Sequence, residues 1–214
     1  MILIGAIGGY MVPEFAQKLI TYKSRQNKKE YSMQSKYLSV FCKIICAVVS
    51  MLGLGICGYF RPSWMMLLHV VLIWLIGAVV FIVDIRIRII ANETVVVLFL
   101  LGVSFRFMMD GVKALPNSTI TMIVILLVWM ILGKMLGSGQ IGAGDVKLCA
   151  VMGFMFGYPN VIGAMLVTSA TLLISCFIGM KGNKMTMKST LPMGPFLVLG
   201  MLAGILSVLS TMVS

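Results

Sequence analysis

Of the six acidic residues in this 214-residue chain, Asp84 and Asp145 stand where a carboxylate is least expected. Asp84 closes the apolar run HVVLIWLIGAVVFIV, and Asp145 ends the glycine-bearing stretch Gly142-Ala143-Gly144-Asp145, followed by Val146-Lys147. A carboxylate at the centre of a membrane helix costs about 2.5–3.5 kcal/mol on insertion scales, and less toward the interface. An acid kept at the end of such a run therefore needs a partner or a task. Two carboxylates held together can hydrolyse a peptide without a metal or a covalent nucleophile. Like-charge repulsion raises one pKa, so one acid stays protonated while the other is ionised. The ionised group takes a proton from water and the protonated one polarises the scissile carbonyl. Because the two titrate as a coupled pair, residue type alone does not divide the roles. Gly142 and Gly144 would leave room for an extended substrate backbone to approach. Plainer explanations stand beside this one. Asp84 is equally a helix-end acid paired with Arg86 or Arg88, and Asp145 equally a helix N-cap.

The other acids carry less. Glu14 precedes Lys18 by four residues, the spacing of a helix-face ion pair, and Glu30 and Asp110 read as solvated loop acids. His69 is the only histidine, so it has no second imidazole with which to share a metal; a hydrogen bond within the bundle is expected for it. No serine is expected to have a histidine at its depth, which argues against a Ser–His nucleophile, and no His-Glu-x-x-His stretch occurs. Cys42, Cys46, Cys57, Cys149 and Cys176 all fall in apolar stretches with no Cys-x-x-Cys pair, and read as small buried residues.

The elements that must hold these residues follow from composition. Hydrophobic residues make up 60% of the chain, charged residues 11%, and the mean hydropathy is +1.08. A soluble domain needs about a quarter charged residues, so this chain cannot coat one. Eight apolar segments can be marked, at about 2–20, 38–60, 64–83, 94–109, 118–136, 146–157, 160–180 and 191–212. Most approach the roughly 20 residues a spanning helix requires. The expected fold is all-α, a polytopic transmembrane helix bundle, with a short sixth segment that either crosses only partly or tilts with help from its neighbours. The N-terminus lacks a basic leading region and a small-residue cleavage site, and reads as a retained first helix. The net charge of +11 sits in short loops between apolar runs, as a lipid bilayer partner requires; no nucleic-acid partner is expected. With the N-terminus outside, fourteen of the seventeen Lys and Arg residues fall on the cytoplasmic side, leaving Arg61, Arg106 and Lys113 outside. Asp84 and Asp145 then share the cytoplasmic face.

Three blocks resemble the prepilin peptidase (type IV leader peptidase) family of GxGD-type intramembrane aspartyl proteases. The first is Val83-Asp84-Ile85-Arg86-Ile87-Arg88-Ile89-Ile90-Ala91-Asn92, where Ala91 stands in place of the family's proline and Asn92 fits. The second is Gly142-Ala143-Gly144-Asp145-Val146-Lys147-Leu148, and the third is Leu191-Pro192-Met193-Gly194-Pro195-Phe196-Leu197, similar to the family's Pro-x-Gly-Pro opening of the last helix. The resemblance implies Asp84 and Asp145 as the catalytic pair. It also implies an active-site loop of Gly142, Gly144 and Lys147, with Asn92, Pro192, Gly194 and Pro195 in support.

It further implies a multi-pass protein of the bacterial inner membrane, cutting the basic leader from a prepilin or pseudopilin with an apolar N-terminal helix. Residues 1–60 would supply membrane segments with a short basic cytoplasmic loop, and 61–214 the peptidase membrane domain, the two forming one integrated unit. Larger family members carry a cytoplasmic zinc loop with paired Cys-x-x-Cys motifs, and these are missing here, so no metal is expected. No cofactor is expected for proteolysis, and S-adenosylmethionine only if N-methylation is retained. The alternatives are a presenilin-like GxGD protease, although Val83 and not a tyrosine precedes Asp84, and a small ion-coupled transporter.

Overall fold

A computed structural model describes residues 2–27, 40–60, 62–135, 142–181 and 191–213. Glu30, Arg61 and the basic residues Lys28, Lys29, Lys36, Lys184 and Lys188 lie outside the described residues. Among the described residues the regular elements are all helical, in the order α1 (Ile2–Asn27), α2 (Val40–Tyr59), α3 (Trp64–Ile87), α4 (Asn92–Asp110), α5 (Ala114–Met135), α6 (Ala143–Phe156), α7 (Asn160–Lys181) and α8 (Gly194–Val213). The expectation of an all-α bundle with about eight apolar segments holds. Five stretches are long and apolar enough to cross a membrane: Val40–Tyr59, Trp64–Ile87, Asn92–Met135, Asn160–Lys181 and Gly194–Met212.

Helix ends differ from the expected ones where charged residues follow an apolar run. α1 continues through Lys23 and Arg25 to Asn27, and α3 runs on to Ile87 past Asp84 and Arg86. Lys and Arg are good helix formers, so the helix outlasts its hydrophobicity. α6 starts at Ala143, three residues before the expected segment. Its 14 residues rise only about 21 Å, against a hydrocarbon core of about 30 Å.

α6 is nonetheless the best-buried helix, with every residue from Leu148 to Phe156 inside. It packs against α4, α5, α7 and α8, so the lipid-exposed load falls on its neighbours. Its Met152, Met155 and Phe156 join Ile73, Leu98, Leu197, Met201 and Ile205 in one core. α7 and α8 approach closely at Gly200, where a Cβ would come within 1.9 Å of Thr168 Oγ1 and 2.5 Å of the Ala164 carbonyl. α1 and α2 meet in the same way at Gly9, where a Cβ would lie 2.6 Å from the Cys46 carbonyl. Large apolar side chains such as Val124, Val128, Leu166 and Phe177 are exposed on α5 and α7, as lipid-facing surfaces require.

Candidate active site

Four helix ends meet at one end of the bundle. Asp84 lies in the last turn of α3 and is only 4% exposed. Its Oδ2 accepts a 2.7 Å hydrogen bond from the backbone N–H of Gly194, the first residue of α8. The bond exists because the Pro192–Pro195 stretch starts a helix there. Pro195 fits the first turn, where a missing N–H leaves no intrahelical bond unmade, and the free N–H groups of a helix start suit an anionic acceptor. Gly194 can have no side chain, since a Cβ would stand 2.7 Å from Asp84 Cβ and 2.9 Å from its Oδ2. Arg88 lies near enough to act on Asp84 electrostatically, but the first partner of Asp84 is the α8 backbone and not Arg86 or Arg88.

Asp145 sits in the first turn of α6. It is not the N-cap: Gly142 holds that position, and its carbonyl accepts the N–H groups of Asp145 at 3.0 Å and Val146 at 3.3 Å. Asp145, three residues on, turns its carboxylate back over Gly142 toward that residue's backbone N–H, so it still helps to cap the start of α6. A side chain on Gly142 would meet Asp145 Oδ2 at 2.7 Å, and one on Gly144 would meet Ile90 Cβ at 2.9 Å. Close approach to the Ile90 main chain therefore requires glycine at 144, whereas at 142 a side chain would displace the Asp145 carboxylate.

Asp84 and Asp145 line the same cleft of about 220 Å³, walled by Arg88, Ile89 and Ile90 on one side and by Gly142–Asp145 on the other. Lys147 and Asn92 do not line it. They bond to each other across the α4–α6 contact, Lys147 Nζ donating to Asn92 Oδ1 at 3.0 Å. Gly194 backs Asp84, and Pro192 and Pro195 serve the start of α8 rather than the cleft wall. Among the described residues no group of three or more His, Cys, Asp or Glu side chains is placed to hold a metal ion.

Sequence reasoning missed several partners. Ile89 and Ile90 give no chemical signal, yet they form a cleft wall. Lys23, buried on α1, donates to Glu93 Oε1 at 2.8 Å, tying α1 to α4 one residue from Asn92; nothing in a 70-residue separation marks such a pair. Glu14 pairs with Lys43 on α2 instead of with Lys18, because the α1–α2 packing brings Lys43 alongside. His69 makes the bond expected of it, through Nδ1 at 2.8 Å from the Met65 carbonyl. Its Nε2 lies 2.9 Å from Ser104 Oγ, which corrects the expectation that no serine shares its depth. That pair faces neither the cleft nor an acid. Asp110 ends α4 and stands 3.7 Å from the buried Arg106 guanidinium.

A family model described as the type IV leader peptidase family matches residues 69–213. The chain belongs to the type IV leader peptidase family. The matched region opens within α3 and contains the whole Asp84–Asp145 cleft, Lys147 and the Gly194 backbone; α1 and α2 lie outside it. The chain is also similar to a prepilin leader peptidase/N-methyltransferase of Xanthomonas campestris pv. campestris, 24% identical over 194 residues. The aligned part is 88% of this chain and 64% of that protein, so the chain spans less than two thirds of its relative's length. No solved structure matches.

Proposed function

We propose that this chain is an intramembrane aspartic endopeptidase that removes the basic leader from prepilin-like proteins at the cytoplasmic face of the inner membrane. The observation that carries the reading is the convergence of Asp84 and Asp145 on one cleft from helices 61 positions apart in sequence. Membership of the type IV leader peptidase family supports it over a transporter, as does the prepilin leader peptidase named among its relatives. The pair shares one proton. The ionised carboxylate takes a proton from the attacking water while the protonated one gives its proton to the scissile carbonyl oxygen. Collapse of the tetrahedral intermediate sends a proton to the leaving amine, giving a new carboxylate on the leader and a new N-terminus on the mature chain. The Gly194 N–H holds one oxygen of Asp84 and so fixes the carboxylate beside the cleft.

Orientation follows from charge. Lys18, Lys23, Arg25, Lys43, Arg86, Arg88, Lys134, Lys147 and Lys181 fall on the side of the cleft, which the positive-inside rule assigns to the cytoplasm. The substrate's apolar N-terminal helix would enter from the bilayer with its leader at that face.

Asp84→Asn and Asp145→Asn, made separately, should each lower processing of a co-expressed prepilin by at least about a hundredfold, the scale of acid–base catalysis. Mass spectrometry of the product reads the cleavage position and any added methyl group together. Full processing by either variant would remove the mechanism. A methylated mature N-terminus would assign this chain the second activity, with S-adenosylmethionine as its donor.

A further inference from the structure

Between α3 and α4 lies a short piece of chain whose main-chain groups find few partners among the described residues. α3 closes at Arg88, in the left-handed region at φ 52°, with its N–H donating to the Asp84 carbonyl at 2.9 Å. α4 opens from Ala91, extended at φ −70° and ψ 130°, whose carbonyl accepts the N–H groups of Thr94 and Val95. The N–H and C=O groups of Ile89 and Ile90, lying between these two caps, make no hydrogen bond with any described residue. Both residues line the cleft beside Asp84 and Asp145. Across it, a Cβ on Gly144 would lie 3.3 Å from the Ile90 carbonyl oxygen, so only glycine lets the two backbones come this close.

Main-chain donors and acceptors that line a cleft between packed helices need partners. A helical substrate cannot supply them, since its own amides are engaged four residues along, and it cannot offer a free carbonyl to water for the same reason. An extended peptide meets both needs. Added as a strand, it takes its affinity from main-chain hydrogen bonds and turns alternate residues toward the edge.

We propose that Ile89–Ile90 is a backbone-docking edge, onto which an extended peptide segment of the substrate adds as a strand. This brings its scissile carbonyl alongside Asp84 and Asp145. The ligand class is an unwound peptide recognised by its main chain. The catalytic half of the inference rests on the proposed function; the binding half does not.

The test uses synthetic peptides comprising a basic leader, a junction glycine and the first turns of an apolar helix, in detergent micelles. Single backbone N-methyl groups are placed at each position across the junction. Binding is read by fluorescence anisotropy on the full-length Asp145→Asn protein. Strand addition predicts losses of at least about tenfold at every second position near the junction, the worth of one well-placed hydrogen bond, and less than about twofold at positions between. N-methylation far out in the leader should have no effect. Uniform losses, or none, would overturn the proposal.

Ile90→Pro removes one protein N–H. It should weaken binding of the unmodified peptide and cancel the penalty of the N-methyl group that faces it; if this variant does not fold, the peptide scan alone decides. Cleavage by the Asp145→Asn protein would refute the catalytic reading while leaving the alternation, and so the docking edge, to stand or fall separately.

Discussion

The α-hydrogen of Gly194 occupies space that no side chain can enter, because Asp84 Cβ lies 2.7 Å from where a Cβ would be. Gly194→Ala must therefore push α8 back from α3 or rotate the Asp84 carboxylate off its N–H bond. Processing should fall at least about tenfold while the detergent-solubilised protein still shows a cooperative melt, since overpacking of this size costs about 1–3 kcal/mol. Unchanged processing would mean that Asp84 does not need its α8 partner. Lys147 and Asn92 offer a gentler case. Their bond is exposed, so Lys147→Ala and Asn92→Ala should each cost less than about 1 kcal/mol of stability. The double variant should be no worse than the poorer single one, which thermal unfolding of all three would show. At this scale the sequence was legible where chemistry is written in residue type. Asp84, Asp145 and the glycines at 142 and 144 are marked by odd company, an acid in an apolar run or glycines beside an acid, while Gly194 was marked only by its Pro-x-Gly-Pro resemblance. The cleft wall at Ile89 and Ile90 was not, because it is built where two helix ends meet, and an apolar side chain there carries no mark of it.

Among elements, glycine decides which helices touch. α7 and α8 close on one another at Gly200, with Ala164 and Thr168 opposite, and Gly204 admits the ring of Phe156 at 2.5 Å from a would-be Cβ. Gly200→Val should cost about 1–3 kcal/mol or more and lower the thermal midpoint in detergent markedly, whereas Gly163→Ala on the same helix pair has open space and should leave the midpoint unchanged or raise it slightly. Equal midpoints for the two variants would refute the close contact. The eight segments themselves could be read from hydropathy, since length and apolarity are local properties. Their neighbours could not. The helices are apolar on several faces at once, so no polar stripe tells which side is buried, and contacts such as Lys23 with Glu93 join residues 70 positions apart. α6 shows the same limit. Hydropathy marked it as short, but only its packing shows that α4, α5, α7 and α8 enclose it.

For the molecule as a whole, polar links sort the helix ends into two layers. Asp84–Gly194, Lys147–Asn92 and Lys23–Glu93 lie at one end; Arg106–Ser118, Asn117–Tyr158 and Ser207–Asn160 lie at the other. The proposed orientation puts the first layer in the cytoplasm. On a background with the native cysteines replaced, Tyr158→Cys should react with a membrane-impermeant maleimide applied to intact cells and Lys147→Cys should not. The reverse pattern would invert the topology. The charge bias that predicted this sidedness survives in sequence because it is a sum over loops and needs no knowledge of packing. The Lys23–Glu93 pair reaches further than its two residues, because it joins a hairpin outside the family-matched region to the first turn of the helix that bonds Lys147. A fragment trimmed to the matched residues would strand a carboxylate without its ammonium right beside Asn92. The front two helices thus act as the keystone of an arch whose other stones frame the cleft.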